Sequence, residues 1–136
     1  MSRIDEKIRQ IQEFLEELLE AMPENFTGYE SNKILKAACE RYFEKIVESA
    51  TDLAFMVIAK NKFRIPEDDI DSFKILKENG IISDRLYKSL KEAKGMRNFI
   101  VHQYGRINDK LVFESITENL AKDIRELISR IMKIFP

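Results

Sequence analysis

From Ser31 to about Asn61 the chain runs without a single glycine or proline. Within it Leu35, Cys39, Tyr42, Ile46, Ala50, Leu53 and Val57 recur at steps of three and four, the repeat of one helix face. Ile34, Ala38, Phe43, Val47, Ala54 and Ile58 widen the stripe. A helix apolar over so broad an arc must be covered by several neighbours or by a second subunit. This run is therefore expected to be the central helix. Arg41, Glu44, Glu48 and Asp52 fall on one flank of it. Pairing within the helix, at about 0.2–0.5 kcal/mol per pair, explains that spacing. A polar cleft lined by Arg41 and Asp52 is the sharper alternative.

The flanking segments obey the same repeat. Ser2 and Asp5 form a capping arrangement for a first helix whose stripe is Ile4, Ile8, Ile11, Leu15, Leu18 and Met22. Pro23 and Gly28 bracket a loop with Asn25 and Thr27. Pro66 forbids the central helix from continuing. The acids Glu67, Asp68 and Asp69 then sit where a short third helix begins, the end that favours negative charge. A metal site there would need a further ligand that the spacing does not supply. Phe73, Ile75 and Leu76 are that helix's apolar face, and Gly80 ends it. Ser83 caps a fourth helix with Leu86, Leu90, Ala93 and Ile100 facing inward. After a turn from Gly105 to Asp109, a fifth carries Phe113, Ile116, Leu120, Ile124, Leu127 and Ile131. The fold class is all-α: an antiparallel bundle of about five helices in a single domain over residues 1–136.

Charge narrows the chemistry. The net charge is −1 overall. Between residues 85 and 106, however, Arg85, Lys88, Lys91, Lys94, Arg97 and Arg106 face the single acid Glu92. Such an excess reads as an electrostatic footprint for a phosphate chain. The lone Cys39 excludes an internal disulfide framework and reads as a buried, inert thiol. No apolar stretch resembles a signal peptide or a membrane span, which points to a soluble, cytoplasmic protein with no membrane partner.

The basic run leads into Arg97-Asn98-Phe99-Ile100-Val101-His102-Gln103-Tyr104, which holds the only histidine. An arginine, an imidazole and a phenol are the tools for handling a phosphodiester without a metal or cofactor. At 100° per residue Arg97 and Tyr104 share a helix face, while His102 lies about 140° from Arg97. One straight helix cannot converge all three. Either the helix loosens before Gly105, or a second copy contributes groups across a two-fold axis.

Arg97-Asn98, His102 and Tyr104 together resemble the ribonuclease motif of the HEPN superfamily, in its HepT-like branch of toxins. The likeness extends to Ala37-Ala38-Cys39-Glu40-Arg41, Asp52-Leu53-Ala54, Pro66, Gly80-Ile81-Ile82 and the closing helix. The resemblance implies a homodimeric helical bundle with metal-independent endoribonuclease activity on RNA. It also implies a partner, a minimal nucleotidyltransferase antitoxin that adenylylates the tyrosine of the His-x-Tyr element, here Tyr104. In that setting His102 would take the proton of a 2′-hydroxyl and Arg97 would hold the scissile phosphate. Asn98, Tyr104, Lys94 and Arg41 are candidates to bind or support the phosphate chain; for Asn98 a structural hydrogen bond serves equally well. The competing class is a non-catalytic helical module that binds a nucleotide or the partner of a nucleotidyltransferase pair. A purely structural dimer whose histidine caps a helix is the third.

Overall fold

The computed structural model describes residues 2–102 and 108–135. Helix α1 (Arg3–Ala21) opens on a capping box: Ser2 Oγ accepts the Asp5 amide at 3.1 Å, and Asp5 accepts the Ser2 amide at 3.4 Å. The second bond is long because aspartate is one methylene shorter than the glutamate usual there. Ile4, Ile8, Ile11, Leu15 and Leu18 bury this helix's stripe against α3 (Lys33–Asn61). The two run antiparallel, since Lys7 reaches Asp52 at 3.6 Å while the Tyr42 hydroxyl donates to Glu17 at 2.8 Å.

α3 is central, as its apolar arc demands. It buries Cys39, Phe43, Ile46, Val47, Ala50, Leu53, Ala54, Val57 and Ile58, and Ser49 and Thr51 join them at mid-helix. The Thr51 hydroxyl is satisfied by donating to the Val47 carbonyl at 2.9 Å. Two stripe residues depart from expectation. Ile34 is 86% exposed and Ala38 is exposed, so coverage on that side starts only at Phe43. Burial chiefly pushes the Cys39 thiol above its ordinary value, which keeps it protonated and inert.

The expected loop after Pro23 is instead a short helix, α2 (Phe26–Ser31). Asn25 caps it by accepting the Gly28 amide at 2.9 Å, and Asn32 caps α3 through the Leu35 amide at 3.0 Å. Two asparagine caps, each worth about 1 kcal/mol, divide what reads as one loop and one helix start. α2 places Phe26 and Tyr29 against Phe113, with ring centroids 5.8 and 5.4 Å away.

α4 (Asp69–Glu78) begins at an N-cap, Asp68, whose carboxylate accepts the Asp71 amide at 2.7 Å. It ends in a Schellman turn: Ile81 and Gly80 donate to Leu76 and Lys77, and Gly80 takes φ +72°, which a side chain would disfavour. Arg64 clamps both ends of α4, bidentate to Asp71 at 2.7 and 2.8 Å and to Glu78 at 3.1 and 3.0 Å. The arginine's fork, with the Glu67 amide after it, holds the Asp71 carboxyl down at about 2. Its ordinary value, which it regains on unfolding, is 3.8. A depressed carboxylate contributes stability that is present above the unfolded value and lost as pH falls through the folded one. Acid titration of wild type should therefore show a loss of stability between about pH 4 and pH 2 that Asp71→Asn lacks; parallel thermal melts across that window check it.

α5 (Asp84–His102) returns antiparallel to α4: Lys77 pairs with Asp84 at 3.0 Å, and Lys94 with Asp69 at 2.8 Å. Ser83 caps it, its hydroxyl accepting the Leu86 amide at 3.1 Å. The closing rod is α6 (Asp109–Glu114), a π-helical turn (Ser115–Leu120) and α7 (Ala121–Ile134). A single regular helix was expected there; the buried residues Val112, Ile116, Leu120 and Ile124 explain the difference. Three successive steps of four would rotate the stripe about 120° around an α-helix. The wider π turn brings it back onto the core. The same shift makes Val112, rather than Phe113, the buried residue of the first turn. Lys36 of α3 pairs with Asp109 at 2.9 Å and so fixes where the rod begins. α1, α3, α5 and the rod thus alternate in direction as an all-α antiparallel bundle.

Candidate active site

Arg97 and His102 both stand on the last two turns of α5. Arg97 points inward toward the one strip of α3 left open, and its side chain is 18% exposed. Nη2 lies 3.6 Å from Glu48, and Nη1 donates to Asn98 at 3.2 Å. Nε is buried without a hydrogen-bond partner among the described residues. A guanidinium has five N–H donors, so this one is held in place yet far from satisfied. Asn98 therefore makes a hydrogen bond to the arginine itself, which orients the fork.

Glu48 is the residue that spacing alone did not single out. Of the flank on α3, only Arg41 and Glu44 pair within the helix, at 2.7 Å. Glu48 and Asp52 instead meet Arg97 of α5 and Lys7 of α1. The flank is thus a shallow polar strip between two neighbouring helices, with Arg41 exposed at one end. Arg41 stands seven residues before Glu48, about 10 Å along the axis.

The basic run is largely answered by acids. Arg85 binds Asp123 and Glu126, with one contact to Glu126 at 2.5 Å. Lys88 binds Asp84 at 3.0 Å. Lys94 is buried, and its ammonium is taken by Asp69. Lysines three apart spiral around a helix of 3.6 residues per turn, so they meet different neighbours and form no one face. Lys94, expected among the phosphate-binding residues, serves here to tie α5 to the start of α4.

His102 is exposed and lies on the side of α5 away from Arg97. Gly95, Phe99 and His102 follow at steps of four and three and so share a face. Tyr104, with Gly105, Arg106 and the expected loosening before Gly105, lies outside the described residues. Asp68, Asp69 and Asp71 are each engaged separately, by an amide, a lysine and an arginine. Among the described residues no three His, Cys, Asp or Glu side chains are grouped to hold one ion. No described helix is long and apolar enough to cross a membrane.

Comparison with known proteins identifies the family and the fold. The curated Putative RNase of Archaeoglobus fulgidus is 40% identical over 72 residues, 53% of this chain and 54% of that protein. The mRNA nuclease HepT of Shewanella oneidensis is 30% identical over 85 residues, 62% of this chain and 63% of that one. The matches thus span between half and two thirds of those curated relatives. The fold is that of the solved tri-AMPylated HEPN toxin of Shewanella oneidensis in complex with MNT antitoxin. The TM-score is 0.91 at 23% identity, covering 98% of this chain and 99% of that one. The family model described as Ribonuclease HepT-like matches residues 4–131, from the first turn of α1 into α7. With Arg97, His102 and nearly all of the helical bundle inside that match, the chain belongs to the HepT-like ribonuclease family.

Proposed function

We propose that the protein is an endoribonuclease toxin that cuts RNA with Arg97 and His102, without a metal, as a homodimer. The observation that carries the reading is the Arg97 guanidinium, oriented by Glu48 and Asn98 but left with an unpartnered Nε. An unsatisfied buried donor costs about 1–3 kcal/mol, a cost that an anion drawn to the same guanidinium would offset. The scissile phosphate is such an anion, and a planar fork matches its oxygens.

In the reaction the neutral imidazole of His102 accepts the 2′-hydroxyl proton. A bond forms from O2′ to phosphorus and the bond from phosphorus to O5′ breaks. The ends are a 2′,3′-cyclic phosphate and a 5′-hydroxyl, and the proton gained at O5′ balances the one taken from O2′. Arg97 stabilises the charge that grows on the phosphoryl oxygens. Because His102 and Arg97 diverge on α5, the working pair is formed across a two-fold axis. The nucleotidyltransferase antitoxin is the partner, and it silences the site through AMP on Tyr104. Purified protein with single-stranded RNA in excess EDTA should give products ending in cyclic phosphate, read by mass spectrometry. Intact RNA under those conditions, with cleavage restored by a divalent ion, would overturn the metal-free mechanism.

Glu48 acts through Arg97 as a positioning residue. Glu48→Gln keeps the shape but removes the charge that aims the fork. Cleavage should fall about 10- to 100-fold, with the loss in kcat rather than KM. Glu48→Asp should recover part of it. An unchanged kcat in Glu48→Gln would show that Arg97 needs no such support.

A further inference from the structure

Beside the candidate site, between α5 and α6, lies a cavity of about 290 Å³. Its walls include Gly95, Met96, Phe99 and Leu111, and Glu92 and Asn108 supply its polar groups. Three features set it apart from a packing defect. It opens on the face of α5 that carries His102: Phe99 stands about 4.5 Å and Gly95 about 10.5 Å along the axis from it. Phe99 is 41% exposed, an aromatic ring at the rim of an apolar cavity. Gly95 sits inside a helix, where glycine is destabilising relative to alanine, yet no packing requires it. Among the described residues, a methyl group placed there would meet no atom within 4 Å. The bare backbone keeps the cavity open.

We infer that this cavity is a nucleobase subsite, which takes one base of the RNA whose neighbouring phosphate lies at His102. The inference rests on the ribonuclease reading. Flat rings stack on an aromatic side chain and exclude water from apolar walls, which suits Phe99, Met96 and Leu111. The polar groups read the edge. Glu92, which has no ion pair among the described residues, accepts N–H donors. Asn108 Oδ1 is committed to the Lys110 and Leu111 amides, which leaves its NH₂ group as the donor. A carboxylate repels phosphate, so the base enters and the backbone stays outside, toward His102. Guanine, with two adjacent N–H donors on one edge, fits the carboxylate better than uracil with one.

The test uses the full chain with labelled methionine methyl groups, because Met96 lines the cavity while Met56 and Met132 lie elsewhere. Guanosine 5′-monophosphate, and an uncleavable 2′-O-methyl RNA containing guanosine, should shift the Met96 signal and leave those of Met56 and Met132 unmoved. Gly95→Leu puts a side chain into the space, where its Cβ meets no described atom within 4 Å, and should weaken binding at least about ten-fold, as should Phe99→Ala. An unmoved Met96 in a protein that cuts RNA overturns the subsite and leaves the ribonuclease reading standing. A shifted Met96 in a protein that never cuts RNA keeps the subsite and removes that reading. A Met96 signal that moves with protein concentration alone would mean that a second copy fills the cavity, and the subsite would fall.

Discussion

Exchanging His102 for alanine is expected to lower RNA cleavage by about 10²- to 10⁴-fold, the range supplied by a positioned base. Arg97→Ala should cost about 10²- to 10³-fold, as when one donor to developing charge is removed. Neither change should unfold the bundle. His102 is exposed, and Glu48, which Arg97 would abandon, is 55% exposed and can be hydrated. Circular dichroism and thermal melts therefore separate a chemical loss from a structural one. The stronger form of the experiment mixes the two inactive variants. If each site takes Arg97 from one protomer and His102 from its partner, a mixed dimer keeps one intact site of its two. Random reassortment makes half the dimers mixed, so about a quarter of wild-type activity should return. No recovery after exchange of subunits would mean that arginine and histidine act from the same chain. Wild-type activity in either variant alone would remove its assigned role.

That experiment turns on an angle visible in the sequence, the 140° between Arg97 and His102 on an ideal helix. Much of the fold was visible by the same arithmetic. The stripes of α1 and α3 and the caps at Ser2 and Ser83 depend on residues a turn apart, and local spacing reports local structure. What stayed hidden is tertiary. Glu48 looked like one more acid on a helix flank; only the register of α5 on α3 makes it the partner of Arg97. Lys94 looked like part of a basic footprint, but the return of α4 places Asp69 at its ammonium. Asn25 was read as a loop residue and Asn32 as part of the central helix, because a six-residue helix has too few positions to show a repeat. The π turn did leave a trace, the four-residue steps from Val112 to Ile124, although Phe113 offered a regular stripe in their place.

Co-expression with a nucleotidyltransferase antitoxin should place AMP on Tyr104 and abolish detectable RNA cleavage. The chain has four tyrosines, and two of the other three are poor acceptors. Tyr29 is fully buried, and burial drives its hydroxyl well above the ordinary phenol range, so no enzyme reaches it and no phenolate forms. The Tyr42 hydroxyl donates to Glu17, a hydrogen bond that also raises it and ties up the proton that must leave. Tyr87 is half-buried, with the Lys77 ammonium 5.2 Å from its ring centre. Tyr104 stands two residues beyond His102 in the sequence and within one α-helical face of Arg97 by ideal arithmetic. In the transfer the phenol oxygen attacks the α-phosphorus of ATP and pyrophosphate leaves. The product is a phosphodiester anion tethered to the tyrosine, which on the proposed reading would be drawn to Arg97. It takes the place of the RNA phosphate and repels the next one, by the logic that governs phosphorylation next to an arginine. Tyr104→Phe should therefore keep the fold and the cleavage yet escape silencing. Peptide mass spectrometry after co-expression decides the matter: AMP on Tyr29, Tyr42 or Tyr87 with Tyr104 bare would assign the control to another tyrosine.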